Sequence, residues 1–411
     1  MNISLEKRLL ALFAMVGVVW AATTATPQRI VIIGDSTVCD YAASKYPQAG
    51  WGQVLKHYFQ TGSVTVVNHA IGGRSTRSFI EGGRWATTLA TLQKGDILMV
   101  QFGHNDRDYS KAERYTDTAA YKKYLAQYAN EARAKGAHPI FVTPMNMNTW
   151  NGTTVREVFT EGKNDYRAAM IHAAAALKVP VLDLEKKSKL LMDTMGQVYM
   201  AKFHFLGLDA GEYANFPDGS SDGTHFQELG ALENARMVTE EIARQPNDSI
   251  LELLAPLLAP LYKVTVNTNL ASGGTATKTR MYPKGATVTL KVKPASGKTF
   301  QYWMGPDWKN VATSQRHTFV QDTMERTFTA MFQGGSSAAS PVQRALPLRL
   351  EGRKLVGAQG LELRIVDARG AVVLTAHGEA DVVDLSGLPA GAYWARSTRW
   401  GDEAFAILLG R

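Results

Sequence analysis

The chain has 411 residues, 45% of them hydrophobic, which is enough to bury a large core and to fill two or three domains. Its single cysteine, Cys39, excludes an intramolecular disulfide. No closely spaced Cys and His residues have the pattern that holds zinc, so neither a metal nor another cofactor is expected. The formal net charge is +8, and residues 262–333 carry most of it, with ten Lys or Arg against three acids.

Residues 1–21 read as a secretory signal. Lys7 and Arg8 precede an apolar run over 9–20, and Val19-Trp20-Ala21 offers a small-residue cleavage pattern. The run is too short for a membrane span, and no other stretch qualifies, so an exported, soluble protein is expected. From residue 30, short apolar runs at 30–33, 64–67, 97–102, 139–143 and 179–183 alternate with helical patterns near 52–60, 116–136, 163–177 and 228–244. Such alternation predicts an α/β fold, a parallel sheet with helices on both faces. Open sheets of this kind hold ligands at the carboxyl ends of their strands.

Three of those ends carry chemistry. IVIIGDS at 30–36 turns sharply and presents Ser36. The second run leads to GGRSTRS at 72–78, where a glycine turn can aim a backbone N–H at a carbonyl, and the third leads to GHND at 103–106, where the Asn105 amide can donate to the same oxygen. Far downstream, Asp222-Gly-Thr-His225 supplies an imidazole and a carboxylate. A serine needs the first to take its proton and the second to fix the tautomer. A lone GDS triplet would be equally at home as a helix cap or turn.

GDST at 34–37, GGRSTRSF at 72–79, FGHND at 102–106 and DGTHF at 222–226 resemble, in order and spacing, the four blocks of the GDSL or SGNH hydrolases, and most of all the rhamnogalacturonan acetylesterases. Gly50-Trp51-Gly52, Thr143-Pro144 and Leu229-Gly230-Ala231 add to the likeness, which covers about 28–245. The resemblance implies a flavodoxin-like three-layer sandwich. It makes Ser36 the nucleophile, His225 the general base and then acid, Asp222 its orienter, and the N–H groups of Ser36 and Gly73 with the Asn105 side chain an oxyanion hole.

Asp222 and His225 are expected on a loop just before a helix that begins near Gln227. His69 and His104 read as structural or substrate-contacting. Arg74 and Arg77 stay open between binding a uronate carboxylate and bracing their loop through acids such as Asp35, the second being preferred for Arg74. Trp51 and Trp150 read as packing, and so does Cys39. The segment 184–221, with Phe203, His204, Phe205, Tyr213 and Phe216, would form either a wall of the substrate cleft or a cover for the core.

The expected organisation is a signal over 1–21, an esterase domain over 22–260, a basic all-β module over 261–333, a Gly/Ser linker over 334–343 and a strand-rich domain over 344–411. The basic module resembles the repeats of bacterial surface proteins, and the last domain resembles sorting domains of bacterial secretion cargo, as a sorting, anchoring or merely spacing element. The basic charge would either attract an acidic polysaccharide or be a solvated surface. Nucleic acid is not expected as a partner, and a monomer is. The implied function is a secreted O-acetylesterase, free or attached to the cell surface, acting on pectic rhamnogalacturonan of the plant cell wall. Its alternatives are an esterase for acetylated xylan or another glycan, and a non-catalytic polysaccharide-binding protein.

Overall fold

The computed structural model describes residues 26–306 and 309–334, and in the C-terminal part 348–356, 358, 362–367, 371–377, 382–396 and 404–410. The signal segment and nearly all of the Gly/Ser linker lie outside the described residues. Five parallel strands form the central sheet in the spatial order Val64–Asn68, Gln28–Gly34, Ile97–Gln101, His138–Val142, Val181–Leu182. Adjacent residues of one strand feed opposite cores, as period-two geometry requires. Ile30 and Ile32 join the cluster beneath the helix Glu228–Ala243, whereas Val31 and Ile33 join the one beneath Thr118–Ala134 and Tyr166–Leu177. The sheet is therefore covered on both faces.

Asp117, Asp165 and Asp183 each accept a backbone N–H at the start of a helix, capping donors that would otherwise be orphaned. The long segment after the last sheet strand forms the helix Leu184–Met195, a short helical stretch over 197–204, the two-residue strand Phe205–Leu206 and then irregular chain, and in it Phe203, His204, Phe205 and Tyr213 are buried. Those aromatic residues cover the core and do not line the catalytic cleft. Between 250 and 261 two short 3-10 turns press Leu251 and Leu254 into the core.

Residues 261–334 fold into two sheets, one of five strands and one of three. The longer sheet pairs Leu261–Thr268 in parallel with Arg326–Gly334. The strands from 349 to 409 form two further sheets around Leu355, Ile365, Leu385 and Ala395. Among the described residues no helix is long and apolar enough to cross a membrane.

The basic module is not a bead on a string, because Val288, Leu290 and Tyr282 belong to the same buried cluster as Trp51 and Leu232. Three of its ten cations are paired across this junction. Arg280 lies 3.4 Å from Glu233, Lys293 lies 3.2 Å from Asp209, and Lys291 is ion-paired with Glu212. The Lys291 ammonium, almost fully buried, also donates to Gln227 Oε1 at 2.7 Å and to the Lys202 carbonyl at 3.0 Å. Burial pulls the Lys291 pKa down, and the Glu212 carboxylate only partly offsets it.

Removing one partner of such a pair strands the other, so Lys291→Met is expected to destabilise the protein by about 3 kcal/mol. Chemical denaturation checks this: the midpoint should fall, and adding Glu212→Gln should restore part of the loss. An unchanged midpoint would show that the junction does not depend on the ammonium.

Candidate active site

The turn that carries Ser36 is built by close approach of two strand ends. A Cβ on Gly34 would fall 2.7 Å from the Gln101 carbonyl oxygen, so only glycine lets the chain turn there. Asp35, fully buried, accepts from the Thr37 N–H at 2.9 Å and from the Thr37 hydroxyl at 2.7 Å, closing the turn around Ser36. The Tyr41 hydroxyl donates to the Ser36 carbonyl at 2.7 Å. The Ser36 backbone is thus held from both sides, while its side chain lines a cavity of about 550 Å³ shared with Gly72, Gly73, His104, Asn105, Arg107, Thr224 and His225.

Asp222 and His225 come from a short strand, Asp222–Gln227, not from the expected loop. Phe226 pairs with Ala49 on one side and with Phe205 on the other, and a bulge between Asp222 and Phe226 breaks the regular register. Bulges re-aim side chains, and here the Asp222 carboxylate meets His225 Nδ1 at 2.6 Å. That carboxylate also accepts the backbone N–H groups of Thr224 at 2.7 Å and His225 at 3.0 Å. Burial would raise the Asp222 carboxyl, but His225 and the two N–H donors outweigh it and bring its pKa down to about 2. Burial would lower the His225 pKa, yet the neighbouring Asp222, with a smaller push from Asp35, leaves it raised above the ordinary 6.5. The free nitrogen, Nε2, is left for a proton from the cavity side.

Among the described residues no hydrogen bond joins the Ser36 hydroxyl directly to this imidazole. Such contacts are commonly loose without substrate and tighten when it binds. Facing them is the other half of the site. Gly73 has φ +76°, a left-handed conformation that glycine adopts without strain. Asn105 donates one amide hydrogen to the Arg74 carbonyl at 2.9 Å, which orients the group and leaves the second hydrogen for a ligand.

Asp106, next in sequence and fully buried, receives the Thr76 N–H and hydroxyl and so ties the glycine turn to the Asn105 turn. Burial, despite those donors, lifts its carboxyl to about 7. Its place beside Asn105 in the FGHND block was visible in the sequence, but its bracing role was not.

The remaining expectations divide. His104 is buried with Nδ1 3.3 Å from Asp35, close enough for charge attraction but not aligned as a hydrogen bond, and with Nε2 3.2 Å from the Met145 carbonyl. Burial would raise the Asp35 carboxyl, but His104 and Thr37 together hold it below its ordinary value. His69 is engaged with the Thr88 hydroxyl at 2.9 Å. Both histidines are thus engaged by protein groups, and His104 also lines the cavity.

Of the acids that could brace Arg74, Asp35 does not: among the described residues its neighbours are Thr37 and, at 3.3 Å, His104. Arg77 reaches the Ala112 carbonyl and lies 3.9 Å from Glu81. Trp51 is buried and donates to Gln101 at 2.7 Å, and Trp150 donates to Asn148 at 2.7 Å. Burial pushes the Cys39 thiol up to about 11, as befits a packing residue. The cations that do line the cavity are Lys45, Arg107 and Arg114, which sequence reasoning passed over. A second cleft of about 370 Å³, at the junction near Lys202 and Lys293, is lined by none of the serine, histidine or asparagine residues just described.

The pair geometry sets a pH dependence. Only neutral His225 can accept a proton, so activity carried by it falls as pH drops through its raised pKa. Asp222→Asn removes the charge that raises this pKa, so the acid limb of kcat/KM should move to lower pH. The rate on the plateau should also fall, by up to about 10⁴-fold where tautomer control is lost. A pH profile of both proteins tests this; an acid limb that stays in place would separate Asp222 from the base.

Residues 32–231 match the GDSL-like Lipase/Acylhydrolase family, and residues 262–336 match the Divergent InlB B-repeat domain. The rhamnogalacturonan acetylesterase RhgT of Bacillus subtilis is 40% identical over 216 residues, which span 53% of this chain and 90% of that protein. The probable rhamnogalacturonan acetylesterase YesY of the same organism is 38% identical over 216 residues, 52% of this chain and 92% of that protein. A solved structure of the Bacillus subtilis protein YXIM superposes with a TM-score of 0.45 at 29% identity, covering 54% of this chain and 58% of that one.

Proposed function

The chain belongs to the GDSL-like lipase/acylhydrolase family, and from that premise we propose that it is an exported serine esterase that removes acetyl groups from pectic rhamnogalacturonan. The observation that carries the reading is the 2.6 Å Asp222–His225 pair on the cavity that also holds Ser36, Gly73 and Asn105. The residue types are those acyl transfer requires, a nucleophile, an oriented base and oxyanion donors, and Ser36, Gly73, Asn105 and His225 share one cavity.

In this reading the Ser36 oxygen attacks the acetyl carbonyl carbon while His225 Nε2 takes the hydroxyl proton, and Asp222 stabilises the resulting imidazolium. The carbonyl oxygen gains the negative charge and is met by the N–H groups of Ser36 and Gly73 and by Asn105 Nδ2. Collapse breaks the bond to the sugar oxygen, which leaves with the proton from His225. The acetyl group then sits on Ser36. A water molecule, deprotonated by His225, attacks it in turn, and acetate leaves with the serine hydroxyl restored. Every proton moves through one imidazole, so no other general base is needed.

The pectic substrate is favoured by the relatives RhgT and YesY, and by three cations in the cavity against one acid, Asp108. Export is favoured by the charged and apolar pattern of residues 1–21. Acetate release from acetylated rhamnogalacturonan and acetylated xylan, measured in parallel, tests the substrate. Faster release from the pectic polymer is expected. Equal or xylan-biased release would move the substrate while keeping the mechanism, and no release from either would favour another ester or a binding protein.

A further inference from the structure

Three cations line the catalytic cavity, and they differ in how they are satisfied. Arg114 is paired with Asp108 at 2.5 Å. Lys45 is exposed at the rim, as the last residue of a 3-10 turn. Arg107 is half-buried, yet among the described residues no carboxylate lies within ion-pair distance of it. Its guanidinium sits 5.7 Å from the centre of the Phe159 ring and, among the described residues, donates only to the Met147 sulfur, at 3.6 Å. A thioether is a weak acceptor and a phenyl face a soft one, so most of the five N–H donors of this group have no strong acceptor among the described residues. Burial pulls its pKa down, as expected of a charge that gives up water without gaining an acid in contact.

The backbone that carries it is the one that carries Asn105. Asn105 and Arg107 stand two residues apart on one turn, in which the Arg107 N–H bonds the Gly103 carbonyl at 3.1 Å and the Asp108 N–H bonds the Asn105 carbonyl at 3.2 Å. The Tyr166 hydroxyl pins the same turn through the Asp106 carbonyl at 3.1 Å. One rigid turn therefore presents both a donor for a developing oxyanion and a planar cation. A hexuronate ring carries its carboxylate on C5, so an acetyl ester at O2 or O3 is separated from it by ring atoms, and ester and carboxylate can meet two separated groups at once. A guanidinium fork matches a carboxylate in shape as well as charge.

We propose that Arg107 is a specificity residue that binds the carboxylate of the uronic acid ring bearing the acetyl group or next to it. The assignment rests on the carbohydrate acetylesterase reading above and goes beyond it in naming the charged group recognised and the residue that recognises it. It also moves the uronate contact from Arg74 and Arg77 of the glycine turn to the Asn105 turn.

The test compares acetylated rhamnogalacturonan oligosaccharides with free uronate carboxyls against the same oligosaccharides methyl-esterified at those carboxyls. Steady-state kinetics would be measured for wild type, Arg107→Gln and Arg107→Lys. Wild type should prefer the free acid by about 10- to 100-fold in kcat/KM, expressed mainly in KM, as a charge-assisted hydrogen-bonded pair predicts. Arg107→Gln should lose that preference, with the two substrates converging. Arg107→Lys should keep only part of it, because the charge remains and the fork does not. A wild type that treats both substrates alike, or an Arg107→Gln variant that keeps the preference, overturns the assignment and leaves the esterase reading standing. If wild type releases acetate from neither form, the substrate reading falls and the assignment falls with it.

Discussion

Ser36→Ala is expected to abolish ester hydrolysis to within assay background, a loss of roughly a millionfold in kcat by analogy with other serine hydrolases stripped of their nucleophile. The size of the effect follows from the site. Thr37 is committed to Asp35 and Tyr41 to the Ser36 carbonyl, so neither of these two hydroxyls stands in as the attacking oxygen. Fold should survive, because the turn is held by backbone contacts and by Asp35 and not by the serine side chain. The check is acetate release together with the unfolding midpoint. Lost activity at an unchanged midpoint fits a nucleophile. Retained activity would mean that Ser36 merely shapes the turn.

The second large effect belongs to Asn105. Removing one preorganised donor from an oxyanion site costs about 3 to 4 kcal/mol of barrier, or 100- to 1000-fold in rate. Asn105→Ala should show this almost entirely in kcat, with KM little changed, because the amide meets a charge that exists only in the transition state. The wild-type amide is pre-aimed by its bond to the Arg74 carbonyl. Part of the loss would then arise from a loosened glycine turn, and that part would appear as a fall in thermal stability. A large rise in KM with kcat intact would place Asn105 in ground-state binding.

How much of this was legible in the sequence depended on whether burial left a pattern. The parallel strands were readable because both faces are buried, so runs such as IVII at 30–33 are uninterrupted. The helices Thr76–Glu81 and Arg84–Thr91 gave no period to find, since each buries only two residues, one of them a threonine. Leu184–Met195 was hidden differently: its inner face includes Glu185 and Ser188, which are buried against Asn146, and burial lifts the Glu185 carboxyl to about 7. A polar residue satisfied by a distant partner reads as surface until the partner is known.

The same limit governed the site. Ser36, Gly73, Asn105, Asp222 and His225 stood out because chemistry restricts their residue types, and the structure brings Ser36, Gly73, Asn105 and His225 to one cavity with Asp222 on His225. The strand character of Asp222–Gln227 was masked, because only Phe226 and Gln227 are buried and the rest is short and polar. Arg74 was credited with Asp35 for lack of knowing that His104 lies against that carboxylate. The local basic excess over 262–333 suggested an outward-facing charge, whereas Arg280, Lys291 and Lys293 turn out to meet Glu233, Glu212 and Asp209 across the junction. Sequence shows which charges exist, and only packing shows which are already answered.

The acyl-serine step is tested most directly by quenching the enzyme in acid during turnover of an acetylated substrate and mapping the peptides by mass spectrometry. The peptide containing Ser36 should carry one acetyl group, located on Ser36 by fragmentation, and the same treatment of His225→Ala should yield little or none. Hydrolysis that proceeds at full rate with no acetyl group on Ser36, even under rapid quench, or an acetyl group on a different residue, would contradict the mechanism.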